Sequence, residues 1–202
     1  YLTGKELKTV AEIDASVSDL MTSARLYMYG LQFTYNPHRM ILNRVTDVYL
    51  LDADGNRREL EDDKLYRVVA DLYSGQMLSA VTKTSYGLLS VVPKKADGTP
   101  IENFEDVILT DNGGELKAWT AIAHYMESFP DENGDGIADI PQYYAGLHER
   151  KVVDDSANLI KLIKNPNKYA VMIAGIVLIA ILLVVLLIRF CLLYTSPSPR
   201  DS

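Results

Sequence analysis

In this sequence of 202 residues, the residues whose types and spacing most directly suggest chemistry stand in one acidic run, Asp131-Glu132-Asn133-Gly134-Asp135-Gly136-Ile137-Ala138-Asp139. Asp131, Asn133, Asp135 and Asp139 put side-chain oxygens at positions 1, 3, 5 and 9, and Gly136 supplies a sharp turn at position 6. A hard cation such as calcium is wrapped in this way, by about six to eight oxygens, and the Ile137 carbonyl could add one more. Against a helix-loop-helix calcium site, position 12 is Gln142 rather than a bidentate glutamate, and Ile137 falls one place early. The pattern is nearer the short Asp-rich loops of extracellular calcium modules, and its alternative is a solvated turn rich in Asn, Asp and Gly. The three histidines, His38, His124 and His148, are scattered without metal-ligand spacing, so hydrolysis assisted by a pair of metal ions has no ligand cluster in these residues.

The elements that would carry these groups follow from periodicity. Residues 3–23 predict a helix, with Leu7, Val10, Ala11, Ile13, Val17, Leu20 and Met21 near helical spacing. Leu26–Tyr35 predicts a strand with Tyr27, Tyr29, Leu31, Phe33 and Tyr35 on one face, and Gly30 leaving room for close backbone approach on the other. Strands follow at Val45–Leu51 and Tyr66–Leu72, separated by the tight turn Asp52-Ala53-Asp54-Gly55-Asn56. Ser74–Thr84 predicts a helix, Gly87–Val92 a strand and Val107–Leu109 a short one. Glu115–Phe129 predicts an amphipathic helix with Leu116, Trp119, Ala123 and Met126 on its apolar stripe, and residues 142–165 a looser helical stretch. The fold class expected is α+β: a mixed sheet with flanking helices over residues 1–110, a helical juxtamembrane segment over 111–168 and one C-terminal transmembrane helix.

That last element is the strongest local signal. Tyr169–Ile188 has no charged residue and is bracketed by Lys168 and Arg189. Twenty residues at about 1.5 Å each match the roughly 30 Å hydrocarbon layer of a bilayer. Lys161, Lys164 and Lys168 lie on its N-terminal side, which on flanking charge alone would put the preceding domain in the cytoplasm. Residues 191–202 do not inform that count. Cys191 to Asp201 reads as the translation of a transposase adapter from a sequencing library, and the single cysteine falls within it. Residues 1–168 carry 18 basic and 26 acidic side chains, and the sequence pI is near 5.0. A nucleic-acid polymer is thereby excluded as a partner, because neutralising phosphates needs clustered cations.

Four segments share an order and spacing: Leu2-Thr3-Gly4-Lys5-Glu6-Leu7, then Tyr29-Gly30-Leu31-Gln32-Phe33-Thr34-Tyr35-Asn36, then Asn43-Arg44-Val45, then Asp63-Lys64-Leu65-Tyr66-Arg67-Val68-Val69. Over residues 1–110 the chain resembles the C-terminal domain of the 5'-nucleotidase family. The resemblance implies a domain that grips the nucleoside, joined in the parent protein to an upstream metallophosphoesterase domain with two divalent metal ions, and a location at the outer face of the cell membrane. It further implies two aromatic side chains that clamp the base. The first falls nearest Tyr27 or Tyr29. The second belongs to a Gly-Gly-Asp-Gly-aromatic motif that is missing here; Tyr73-Ser74-Gly75-Gln76-Met77 stands in its place, and the next aromatic beside a glycine is Tyr86. The expectation is therefore the nucleoside-binding part of a membrane-anchored extracellular 5'-nucleotidase, with nucleotide or nucleoside and the lipid bilayer as partners and no hydrolysis by these residues alone. The alternatives are a non-catalytic surface binding protein on the same fold and a 2',3'-cyclic-nucleotide phosphodiesterase.

Overall fold

The first helix starts where its own side chains can close it. Thr3 Oγ1 accepts the Glu6 N–H at 3.2 Å, while Glu6 Oε2 accepts the Thr3 N–H at 2.8 Å, a reciprocal cap that satisfies two otherwise orphaned donors. In the computed structural model, which describes residues 1–18, 22, 25–52, 54–84 and 89–194, this helix is α1, Gly4–Val17. It is shorter than the expected 3–23; residues 19–21, 23 and 24 lie outside the described residues. Just before it, β1 (Leu2–Thr3) pairs antiparallel with β5 (Leu65–Tyr66). Only glycine fits at position 4, because a Cβ there would stand 2.2 Å from the Glu61 carbonyl oxygen.

The principal sheet has four strands in the order β4 (Arg57–Glu59), β3 (Val45–Leu51), β2 (Leu31–Tyr35) and β8 (Lys151–Val153). The first three are antiparallel and β8 runs parallel to β2, with Phe33 opposite Lys151. Leu31 and Phe33 alternate onto the buried face, where Leu31 meets Leu7, Val10 and Ile13 of α1 with Leu2, Leu60 and Val91, and the Phe33 ring packs on Ala11 and Ala15. The remaining elements are α2 (Leu72–Thr84), a hairpin of β6 (Thr110–Asp111) and β7 (Gly114–Glu115), α3 (Ala118–Glu127), α4 (Leu159–Ile163) and α5 (Lys168–Tyr194), with single 3₁₀ turns at Phe104–Val107 and Gln142–Ala145. The architecture is α+β, a mixed sheet with flanking helices followed by a long apolar C-terminal helix.

Several expected elements differ, each for a local reason. β2 begins at Leu31, not Leu26, because Gly30 takes φ +81° and breaks the extended run; a Cβ there would touch nothing, so conformation rather than close approach selects the glycine. Tyr27 and Tyr29 consequently do not share the buried face of Leu31 and Phe33. The strand expected at Tyr66–Leu72 ends at Tyr66, since the Asp71 carboxylate accepts the Ser74 N–H and hydroxyl, both at 2.8 Å, and starts α2. Of the strand expected at Gly87–Val92, residues 87 and 88 lie outside the described residues and 89–92 form no ladder: the Val91 N–H donates to Thr82 Oγ1 and the Val92 N–H to Glu6 Oε1, both at 3.0 Å. Residues 104–107 form a turn in place of the strand expected at Val107–Leu109, and the apolar stripe of α3 is exposed, with no buried residue along the helix. The stretch 142–165 is not one loose helix, because Lys151–Val153 extends the sheet and only Leu159–Ile163 is α-helical.

Within α5, the 25 residues Lys168–Leu192 are long and apolar enough to cross a membrane, and none of the most apolar window is buried inside the protein.

The helix α1 also carries three carboxylates at or near full burial, Glu6, Glu12 and Asp14. Glu12 accepts the Ser16 hydroxyl at 2.7 Å and the N–H groups of Arg44 and Val45 at 2.8 and 2.9 Å. Burial nonetheless holds its pKa above the ordinary glutamate value. Glu6 is also raised by burial, but the bonds from Lys94, Thr3 and Val92 outweigh this and leave it below the ordinary value. The two therefore act oppositely on stability. Between the ordinary and the raised Glu12 value the folded state binds the extra proton, so that contribution falls as pH rises; the Glu6 contribution is present above the ordinary value and is lost as pH falls through its depressed one. Glu12→Ala strands two N–H groups and is expected to cost about 2–4 kcal/mol in a urea titration of the protein in detergent micelles. Glu12→Gln is expected to remove its pH-dependent component.

Candidate ligand-binding cleft

The arrival of β8 beside β2 brings two cations to the loop that precedes β2. Asp14, almost fully buried on α1, organises them. Its Oδ1 accepts the Leu26 N–H at 2.7 Å and its Oδ2 pairs with Lys151 Nζ at 2.5 Å, while Lys151 also donates to the Leu26 carbonyl. Lys151 Nζ then stands 5.7 Å from the Tyr27 ring centre and 5.9 Å from that of Phe33. The neighbouring Arg150 guanidinium lies 5.0 Å from the Tyr29 ring centre. A shallow cleft of about 340 Å³ opens here, lined by Ser18, Arg25, Tyr27, Met28, Tyr35, Arg150 and Lys151. Tyr27 and Tyr29 are 88% and 83% exposed, so their rings are available rather than packed. Aromatic faces beside fixed cations suit a planar ligand bearing negative charge.

Sequence reasoning singled out the two tyrosines and missed Asp14, Arg25, Arg150 and Lys151. The signal for the last two was present in Arg150-Lys151-Val152-Val153, a cation pair running into β-branched residues, which favours a short strand over a helix. Tyr86 lies outside the described residues. Tyr73-Ser74-Gly75-Gln76-Met77 sits on α2, where Gly75 packs on the Phe104 ring, 3.0 Å from where its Cβ would be. It is a packing contact between helix and turn. A second cavity, about 360 Å³, adjoins β3, β4 and β5, but its charges are satisfied internally by Arg58 with Asp52 at 3.0 Å and Lys64 with Glu61 at 2.7 Å.

The acidic loop directs its oxygens at its own backbone. Asp131 accepts from the N–H groups of Gly134 and Gly136 at 2.6 and 2.8 Å, Asn133 from that of Asp135, and Asp135 from that of Ile137. Asp139 accepts from the N–H groups of Glu132 and Asn133. The histidines are apart: His38 pairs with Asp155 at 2.7 Å, His148 stacks on Tyr143 at 4.0 Å between ring centres, and His124 lies on α3. Among the described residues no group of three or more His, Cys, Asp or Glu side chains is placed to hold a metal ion, so neither the loop nor the histidines offers a preassembled donor set.

Residues 1–81 match the family described as 5'-nucleotidase, C-terminal domain. The match takes in α1, β1 to β5 and most of α2, including Tyr27, Tyr29 and Asp14, and ends before Arg150 and Lys151. No curated protein and no solved structure matches the chain.

Removing Lys151 alone leaves the Asp14 carboxylate buried and unpaired. Lys151→Ala is expected to destabilise by about 2–4 kcal/mol, and the double variant Asp14→Asn/Lys151→Met to recover much of that loss in the same denaturant titration. In the acidic loop, the backbone bonds from Gly136 and Gly134 hold the Asp131 carboxyl below the ordinary aspartate value. Carbon-detected NMR is expected to find it there, with the 131–139 amide shifts changing as pH falls through that depressed value rather than through the ordinary one.

Proposed function

We propose that this chain contributes the nucleoside-binding part of a membrane-anchored extracellular 5'-nucleotidase. The observation that carries the reading is the match of residues 1–81 to the C-terminal domain of that family. Two features support it. The cleft joins the exposed ring of Tyr27 to Arg25, Arg150 and Lys151, with the exposed Tyr29 ring beside Arg150, and α5 has the length and composition of a bilayer span. In this reading Tyr29 and Tyr27 stack on the base, Arg25 and Arg150 meet negative charge while Lys151 is engaged by Asp14, and α5 anchors the domain with its cleft outside the cell. Phosphate release would belong, as in the family the chain resembles, to an upstream metallophosphoesterase domain with two divalent ions. These residues alone would then bind without hydrolysing.

A second reading, a surface binding protein without catalysis, is favoured by one specific observation. The segment in place of the second aromatic motif is helical, and its glycine is occupied by Phe104. Upstream coding sequence separates the two: an Asp-x-His pair with an Asn-His-Glu or Asn-His-Asp cluster supports the enzyme, and any other domain supports the binding protein. Cyclic-nucleotide hydrolysis is distinguished by assaying the full-length protein on 2',3'-cyclic and 5'-monophosphates side by side.

Binding itself is testable with the present chain in detergent micelles. Saturation-transfer NMR with adenosine 5'-monophosphate is expected to show contact to the base protons. Because stacking on one aromatic side chain contributes about 1–3 kcal/mol, Tyr29→Ala is expected to weaken affinity about 5-fold to 150-fold. Absence of saturable contact in the unaltered chain removes the nucleoside-binding assignment.

A further inference from the structure

The apolar residues nearest α5 are not in the core. Leu159, Ile160 and Ile163 of α4 are 76%, 72% and 74% exposed. Positions 159 and 163, and 160 and 163, are spaced to share one helix face. Beside them is the loop 36–44, whose tip carries the exposed Met40 and Ile41.

The two are held together by a buried cation. Arg39 donates from Nη1 to the Lys161 carbonyl and from Nη2 to the Lys164 carbonyl, each at 3.0 Å, and reaches Asn165 O at 3.4 Å. The entry to α5 is fastened to the same loop. Asn167 accepts the N–H groups of Tyr169 and Ala170 on its Oδ1, donates its own N–H to Asn43 Oδ1 at 2.9 Å, and donates Nδ2 to the Leu42 carbonyl. Tyr169 and Ala170 are themselves buried against the soluble part. No extended stalk separates domain from anchor: α4 ends at Ile163 and α5 begins at Lys168, a connection that spans at most about 18 Å.

We propose that the α4 face and the Met40-Ile41 tip form one docking surface for the lipid headgroup layer of the membrane that α5 enters, so that the domain rests on the bilayer in a fixed attitude. This rests on the reading of α5 as a membrane span. Charge agrees with that occupant. The acidic groups nearest this face are already engaged, Asp154 by Lys161 at 3.1 Å and Asp155 by His38 at 2.7 Å. Lys164 and Lys168 flank the connection, placing two cations where anionic headgroups would lie.

The test uses the whole chain in vesicles of mixed phosphatidylcholine and phosphatidylglycerol, with Cys191→Ser as background. Spin labels are placed singly through Met40→Cys, Ile160→Cys and Ile163→Cys, with Asp54→Cys on the β3–β4 turn as the aqueous reference and Ile181→Cys as the lipid reference. Power saturation against oxygen and a water-soluble nickel chelate reports depth. Docking predicts that labels at 40, 160 and 163 are shielded from nickel relative to 54 and lie about 5–10 Å into the headgroup and acyl boundary. If 160 and 163 are as accessible to nickel as 54 while 181 is lipid-buried, the span stands and the docking surface is wrong. If 181 is also open to nickel, the span itself fails and the docking surface with it.

Discussion

A carboxylate removed from water must be surrounded by donors or it unfolds what buries it, and α1 carries three such groups. Glu6 takes the Thr3 and Val92 N–H groups and Lys94; Glu12 takes Ser16, Arg44 and Val45; Asp14 takes Leu26 and Lys151. Each one therefore fixes a different piece of chain against the same helix. The apolar core these bonds surround is small, a single helix on a few strands, and hydrophobic burial is indifferent to which loop lies where. Directional bonds to α1 supply that discrimination. Residues 89–94, which belong to no regular ladder, sit where Glu6 and Thr82 hold them.

The same constraint explains what could be read in advance. The α1 start, the β3 strand, the Asp52–Asn56 turn and the apolar helix each have a signal confined to neighbouring residues: a capping box, an extended run of β-formers, an Asp-Gly step, twenty uncharged positions. β8 has none of comparable strength. It is three residues long and exists because β2 offers an unpaired edge more than 115 positions earlier in the chain and because Asp14 waits for Lys151. The candidate cleft was legible in the same proportion. Its aromatic half, Tyr27 and Tyr29, is identified by residue type close to the strand glycine. Of its cations Arg25 is local, whereas Arg150 and Lys151 come from more than 115 positions further along the chain, and only the parallel pairing brings them across. The stripe of α3 is the converse case, where helical periodicity was genuine but none of its residues is buried.

Asn36, Asn43 and Arg44, which stand among the segments resembling the family domain, also lie in the set of bonds that leads from this domain to α5. Asn36 is almost fully buried, donating Nδ2 to the Ser156 carbonyl at 2.8 Å and accepting the His38 N–H. Asn43 receives Asn167, and Arg44 donates to Ala15 O at the end of α1. The Asp154 N–H donates to the Tyr35 carbonyl at 2.9 Å, so β8 leaves the sheet directly into this set of bonds. Between Lys151, which faces the cleft, and Lys168, which begins α5, the chain is tied to the loop 36–44 through Asn36, Arg39 and Asn43 in turn. A transmembrane helix by itself leaves an attached domain free to rotate about the membrane normal and to tilt. Here Tyr169 and Ala170 at the start of α5 are buried and capped by Asn167, which is itself bonded to the domain, so a membrane span at α5 would have no free hinge at its entry. In the proposed reading of α5 as a membrane span, the direction in which Tyr27, Tyr29, Arg150 and Lys151 open relative to the bilayer is set by the buried asparagines and Arg39 of the folded domain rather than by the exposed residues of α5.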